Sequence, residues 1–285
     1  MWTWGWAIIR NLQFTFAQNG HTIETGNDFK ILDYDGLAAS DYETMSVASP
    51  FLQGDTVISQ RVLPRYVTAT VDCHVENRDF VLRFFKPQAD GQLTVAFNDV
   101  RRRIGYKVDG FRIIPCNVHF DLMTFTVRLR CPEPYFRHMS DFGQDIAALT
   151  ALEIFPFVWE TETLWFPDYR QFDTSTLIRN QGDTAIGLRI DLLSRGSVRN
   201  PFFVMGDGQR MEIFTDMDIG DVLSLNTKPR HKSVFLNGKN IIHKVGRDGV
   251  FISLQPGENT LTYGAEIGLQ HLEVRLFFTP LYLGI

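Results

Sequence analysis

The chain has 285 residues, 44% hydrophobic and 21% charged, which suits one large or two ordinary folded domains and excludes a disordered chain. A net charge of −5 argues against a general nucleic-acid binder, and no apolar run reaches the length of a membrane span. Phenylalanine is unusually frequent, at 24 residues, and aromatic side chains favour strands. The three cysteines, Cys73, Cys116 and Cys131, are odd in number and show no C-x-x-C spacing. They read as small buried hydrophobes rather than as a disulfide framework or a zinc site. The start, Met1-Trp2-Thr3-Trp4-Gly5-Trp6, lacks the charged and apolar regions of a secretory signal, so the chain is expected to be made and kept in a cytoplasm, at least at first.

Trp2, Trp4 and Trp6 recur at period two and would share one side of a strand. Either that strand packs on a sheet, or its aromatic face is kept for a partner subunit. Residues 36–61 are polar and mixed and too long for an ordinary connection, so they read as a projecting arm or as a surface loop. Val67, Ala69, Val71 and Cys73 alternate with polar residues and predict a half-buried strand. A short helix follows, with Asn77 as its cap, Phe80, Val81, Phe84 and Phe85 on one face, and Pro87 at its end. Leu93, Val95 and Phe97 alternate before a turn at Asn98-Asp99. Asp109-Gly110 reads as a hairpin turn before Phe111. Arg101-Arg102-Arg103 reads as a solvated strand start. Met123, Phe125, Val127, Leu129 and Cys131 give the clearest inward face.

Cys131-Pro132-Glu133-Pro134-Tyr135-Phe136-Arg137 divides the chain. Two prolines one residue apart remove two backbone donors and fix φ, so no regular element runs through. The expected domains are therefore 1–136 and 137–285. In the second, strands are expected at 174–180, 186–192, from Asn200-Pro201, 222–225, 234–236, 251–254, 260–263 and 272–278. Their turns include Gly206-Asp207-Gly208 and Asn237-Gly238. Residues 146–156 fit a helix or a strand equally. The fold class is thus mainly β: two domains, the second β-sandwich-like and the first with one short helix and a projecting arm.

Catalytic patterns are missing from the sequence. There is no P-loop, G-x-S-x-G or H-E-x-x-H, and no two of the seven histidines are at metal-ligand spacing. Asp216 to Asp221 looks like a calcium loop, but Thr227 stands where the bidentate glutamate belongs, so a polar turn is the expectation. Glu160 and Glu162, with Trp159 and Trp165 nearby, could form a sugar-binding patch. No enzyme and no cofactor are expected.

Taken in order, several stretches resemble the distal tail proteins of long, non-contractile-tailed phages. In the first part these are Ile31-Leu32-Asp33-Tyr34-Asp35-Gly36-Leu37, the long segment to Arg61, Phe84-Phe85-Lys86-Pro87, Gly91-Gln92-Leu93 and the Cys131–Phe136 junction. In the second they are Ile178-Arg179-Asn180-Gln181-Gly182-Asp183, Asn200-Pro201, Gly220-Asp221-Val222-Leu223, Val234 to Gly238 and Phe251 to Asn259. Each is weak alone; their order and spacing carry the likeness.

The resemblance implies a structural protein of the tail tip or baseplate, in the virion and, during assembly, in the host cytoplasm. It implies two β-sandwich-like domains: an N-terminal β-sandwich closing a hexameric ring, with an extended hairpin arm embracing the neighbouring subunit, and a C-terminal galectin-like β-sandwich outside. Implied partners are further copies of the chain, in one ring or two stacked rings, the major tail tube protein, the tail-associated protein and, in some phages, receptor-binding proteins. DNA would pass through the ring without sequence-specific recognition, and no membrane insertion is implied. Trp2, Trp4, Trp6, Tyr42, Phe51 and Leu52 are the candidate interface residues. The alternative is a host-surface carbohydrate-binding module, with Trp159 or Trp165 stacking on sugar.

Overall fold

The computed structural model describes residues 12–48, 53–115, 121–140, 142–145, 174–247 and 249–285. The chain forms two compact units, Met1–Met139 with Leu281–Ile285, and Ser140–Pro280.

In unit 1 the strands are β1 (Leu12–Gln18), β2 (His21–Glu24), β3 (Phe29–Asp35), β4 (Tyr42–Ala48), β5 (Asp55–Val62) and β6 (Arg65–His74). Helix α1 (Arg78–Phe84) follows, then β7 (Asp90–Phe97), β8 (Val100–Ile114), β9 (Leu122–Cys131) and β10 (Phe136–His138). Hydrogen bonds order them β2-β1-β7-β8-β9-β6-β3 in one open sheet, with β4 and β5 in a separate two-stranded sheet. The expected alternation in β6 and β9 is present. Val67 lies opposite Leu129, Ala69 opposite Val127 and Val71 opposite Phe125, and all six are buried. Because strand side chains alternate between faces, one such face buries every second residue of both strands. Phe85, just past α1, ties helix to sheet. Its ring centroid lies 5.4 Å from Phe16 and 5.9 Å from both Phe111 and Phe125.

Two local expectations change. Asn77 occupies the N-cap position, but its side chain makes no cap bond. A 3-10 turn over Val75–Asn77 already puts Asn77 in the helical region, at φ −79 and ψ −2, so the chain enters α1 without a side-chain cap. Asp109-Gly110 is no turn. β8 runs through it for 15 residues, and the register against β9 shifts between Val108 and Gly110. The extra residue makes a bulge, which bends a long strand that pairs β7 over Val100–Lys107 and β9 over Lys107–Ile114.

Unit 2 contains β11 (Phe142–Asp145), β12 (Ser175–Asn180), β13 (Ile186–Gly187), β14 (Arg189–Ser194), β15 (Val198–Met205), β16 (Arg210–Glu212) and β17 (Asp216–Met217). It continues with β18 (Val222–Asn226), β19 (Ser233–Leu236), β20 (Lys239–Asn240), β21 (Ser253–Leu254), β22 (Gly257–Ile267) and β23 (Leu272–Phe278). One sheet runs β11-β23-β14-β18-β19-β20, and a second runs β12-β22-β15-β16 with β17 on β15. Leu188, Ile190 and Leu192 are buried as the alternation predicts, and Asn237-Gly238 turns β19 into β20 with φ of 49 and 78. That pair of positive φ values is what a two-residue hairpin requires. Asn200-Pro201 does not open its strand: β15 begins at Val198, and Asn200, at φ 48, sits inside it.

The segment after unit 2 returns to unit 1. There β24 (Leu281–Tyr282) pairs antiparallel with β10, Phe136 opposite Tyr282 and Arg137 opposite Leu281. Sequence had grouped 281–285 with the second domain. Unit 2 is instead inserted between two paired strands of unit 1.

Candidate assembly interface

The 36–61 segment forms the β4–β5 hairpin. Its register runs from Tyr42 opposite Val62 to Ala48 opposite Asp55, with an irregularity between Met45 and Ser46. β-branched residues, Thr44, Val47, Thr56, Val57, Ile58 and Val62, supply strand propensity. Cross-strand polar contacts fix the pairing. Arg61 Nε donates to Glu43 Oε2 at 2.6 Å, Ser46 Oγ to Asp55 Oδ2 at 3.1 Å, and Gln60 Nε2 to Thr44 Oγ1 at 3.3 Å.

Every residue of β4 and β5 is exposed. The apolar ones are Tyr42 (66%), Met45, Val47, Val57, Ile58 (61%) and Val62. A two-stranded ribbon is at best marginally stable in water by itself. Fully burying one such side chain against a partner contributes about 1.5–3 kcal/mol. Among the described strands, the outer edges of β4 and β5 pair with no other strand, so their backbone groups can accept a strand from elsewhere. The hairpin therefore offers apolar area and unpaired backbone together.

Its root is built differently. Gly36 has φ +84, and a Cβ there would lie 1.9 Å from the Tyr66 carbonyl oxygen, so only glycine fits this close approach. Leu37 is buried in the unit 1 core, and Leu63 N–H donates to the Asp41 carbonyl at 2.8 Å. Arg65, the first residue of β6, is 2% exposed. Its guanidinium donates to four main-chain carbonyls: Gly36 at 2.7 Å, Pro134 at 2.8 Å, Ala38 and Leu283. It also lies 4.8 Å from the Phe136 ring centroid. Arg102 donates to the Gly284 carbonyl and stacks 3.7 Å from the Tyr282 ring centroid. Its role is thus more specific than a solvated strand start.

Of the sequence candidates, Tyr42 stands on the hairpin. Phe51, Leu52, Trp2, Trp4, Trp6, Trp159, Trp165, Glu160 and Glu162 lie outside the described residues. Sequence reasoning passed over Met45, Val47, Val57, Ile58 and Val62. Their strand-like spacing was the available signal. Arg65 carried none, because its partners are brought by the fold.

Burial pushes the Cys131 thiol up to about 12 against a smaller opposing pull from Arg65. Burial, and then Asp72, push Cys73 up to about 11. Both thiols stay protonated, the unreactive form. The Asp221 carboxylate accepts from Asp218 N–H at 2.8 Å and from Asn237 Nδ2 at 2.7 Å, and these bonds hold it below the usual range. Asp216–Met217 is strand β17, buried at Met217, and only Asp218–Asp221 makes the polar turn. Among the described residues, no group of three His, Cys, Asp or Glu side chains is placed to hold a metal.

Residues 181–282 match the family model described as the siphovirus-type tail component, C-terminal domain. Over this stretch the chain is similar to a siphovirus-type tail component. The match agrees with the resemblance to distal tail proteins read from the sequence. The chain is also similar to the crystal structure of the SPP1 Dit (gp 19.1) protein, described as a paradigm of the hub adsorption apparatus in Gram-positive infecting phages. The TM-score is 0.69 at 12% identity, covering 95% of this chain and 99% of that one. That likeness spans both units and bears out the mainly β fold. The phage P2 baseplate in its activated conformation with Ca matches at a TM-score of 0.45 and 8% identity, over 93% of this chain and 97% of that one, too low to show a shared fold. No curated protein matches the chain.

Proposed function

We propose that the protein is the structural hub of a siphophage tail tip and acts by assembly rather than by catalysis. In this reading the N-terminal domain, 1–136, closes a hexameric ring, and the β4–β5 hairpin grips the neighbouring subunit. The C-terminal domain, galectin-like, faces outward. The ring joins the major tail tube protein to the tail-associated protein, offers a seat for receptor-binding proteins, and leaves a channel for DNA. Trp2, Trp4, Trp6, Tyr42, Phe51 and Leu52 are its proposed contact residues.

The observation that supports the reading is the hairpin, a separate two-stranded sheet with apolar side chains exposed along both strands. Closed rings need heterologous contacts, in which one patch meets a different patch on the next copy, and a projecting hairpin provides one half of such a pair. The test is solution mass by light scattering over a concentration series. The expected mass is six times 32.7 kDa, or twice that for stacked rings. Deleting residues 42–60 is expected to leave a folded monomer. A deletion variant that still forms the same ring would overturn the role given to the hairpin. A mass of 32.7 kDa for the parent at every concentration would overturn self-association.

A further inference from the structure

The root of the hairpin joins three segments that are far apart in sequence. Gly36 and Ala38 come from the approach to β4, Pro134 from the junction after β9, and Leu283 from the segment that follows unit 2. Arg65 bonds all of them at once. A guanidinium has five N–H donors in a rigid planar fork, and four of these bonds go to main-chain carbonyls here. Main-chain acceptors cannot rotate away as side chains can, so the fork fixes the relative positions of the backbones themselves.

Further bonds close the same joint. Ile285 N–H donates to the Leu37 carbonyl at 3.1 Å, and Ser40 Oγ donates to the Pro134 carbonyl at 3.1 Å. A Cβ on Gly284 would lie 2.8 Å from the Leu37 oxygen, so the two backbones are in direct contact. Tyr282 is held from one side by pairing with Phe136 and from the other by Arg102. The hairpin itself has no sheet neighbour among the described strands. What sets the direction in which it leaves unit 1 is therefore this joint.

We propose that Arg65 and the segment Leu281–Ile285 are positioning elements for the β4–β5 hairpin, so that the hairpin is aimed only when the chain returning from unit 2 is seated on unit 1. Unit 1 cannot complete its own root from residues 1–139, because Leu283, Gly284 and Ile285 arrive after unit 2 in sequence. Unseating the segment leaves the hairpin hydrogen bonds intact and frees its angle. The last step, from hairpin direction to ring closure, rests on the proposed role of the hairpin in self-association; the positioning itself does not.

The experiment reads direction and association separately, in the full chain with Cys116 replaced by serine. Spin labels go on Thr56→Cys, near the hairpin tip, and Lys86→Cys, on the exposed turn after α1. Native Cys73 and Cys131 are buried and stay unlabelled. The parent is expected to give one narrow interlabel distance by pulsed electron spin resonance. Three variants are compared: Arg65→Met, Arg102→Met, and replacement of 281–285 by a glycine–serine stretch. Arg102→Met leaves Arg65 itself in place, so it keeps the test open if Arg65→Met does not fold. Each folded variant is expected to broaden the distance distribution at least twofold, with hydrogen exchange over 42–62 unchanged. Combining Arg102→Met with the 281–285 replacement is expected to add nothing, since both act through the same seat. Self-association is expected to weaken at least tenfold in step. A distribution as narrow as the parent's in the 281–285 replacement overturns the proposal. Broadening in variants of a parent that never associates upholds the positioning and overturns the ring reading instead.

Discussion

Val57 and Val67 are close in sequence and identical in chemistry, yet one is 59% exposed and the other fully buried. Only Leu63 and Pro64 separate their strands. β6 has β9 on one side and β3 on the other, and its alternate residues enter the core. Among the described residues, β5 has β4 alone, and neither of its faces is covered. Strand propensity is thus the same in both regions, and what differs is whether tertiary structure supplies a second layer. A strand that keeps apolar residues without such a layer within its own chain is suited to receive one from another molecule.

The sharpest way to break this contrast is to place the same charge in both strands. Val67→Asp buries a carboxylate among apolar neighbours, which costs several kcal/mol, and unit 1 is expected not to fold. Val57→Asp is expected to change monomer stability by no more than about 0.5 kcal/mol. It is expected to weaken self-association at least about tenfold, equivalent to about 1.4 kcal/mol. Urea unfolding and light scattering on the two variants measure both halves. Equal destabilisation by the two substitutions would dissolve the contrast.

A truncation sharpens the buried side. Phe85→Ala removes the ring that touches Phe16, Phe111 and Phe125 and is expected to cost about 3–5 kcal/mol by urea unfolding. Association per folded molecule should be little changed.

Alkaline pH gives the next contrast. Cys73 and Cys131 have folded values raised to about 11 and about 12 from an ordinary 9.0. Their protonated forms therefore stabilise the fold fully below about pH 9, and that contribution is lost as pH rises through the raised values. Tyr106, raised mainly by burial, acts in the same direction. The urea midpoint of unit 1 is expected to fall between about pH 9 and 12, and to fall less in a Cys73→Ala, Cys131→Ala background.

The smallest effect belongs to a hairpin that does have a sheet neighbour. β19–β20 is joined to β18, and Asp221 and Asn237 brace its turn. Asp221 is held below its ordinary 3.8, so its contribution is present above that pH and is lost as pH falls through the lowered value. Asp221→Asn is expected to cost less than about 1 kcal/mol near pH 7, and nothing once Asp221 is protonated in the parent, as measured by urea midpoints.

Much of the fold was legible wherever one residue in two is buried. Val67 to Cys73, Met123 to Cys131 and Leu188 to Leu192 show their inward faces as plain alternation. Turn chemistry was less reliable. Asn237-Gly238 makes its hairpin because both residues reach positive φ, whereas Gly110 does not, and Asp109-Gly110 became a bulge in a strand shared by two neighbours. The same dipeptide pattern serves either end, and the pairing around it decides. For the assembly surface, Tyr42 was read and Met45, Val47, Val57, Ile58 and Val62 were not. Alternation announces a strand but cannot say whether anything covers it. Arg65 was beyond reach for a different reason: one of its acceptors, Leu283, lies 218 positions away. A single arginine before a strand has no pattern to mark it.

The pairing of Phe136 with Tyr282 has a thermodynamic consequence for unit 2. While unit 1 is folded, the chain from Ser140 to Pro280 is a closed loop, pinned at both ends like a segment spanned by a cross-link. An unfolded loop with fixed ends has fewer conformations than a chain with one free end, and for this length the lost entropy is on the order of a few kcal/mol. Unit 2 is to that extent stabilised from outside its own core, by strands it does not contain. Opening β10 from β24 would withdraw that contribution without breaking one contact inside unit 2.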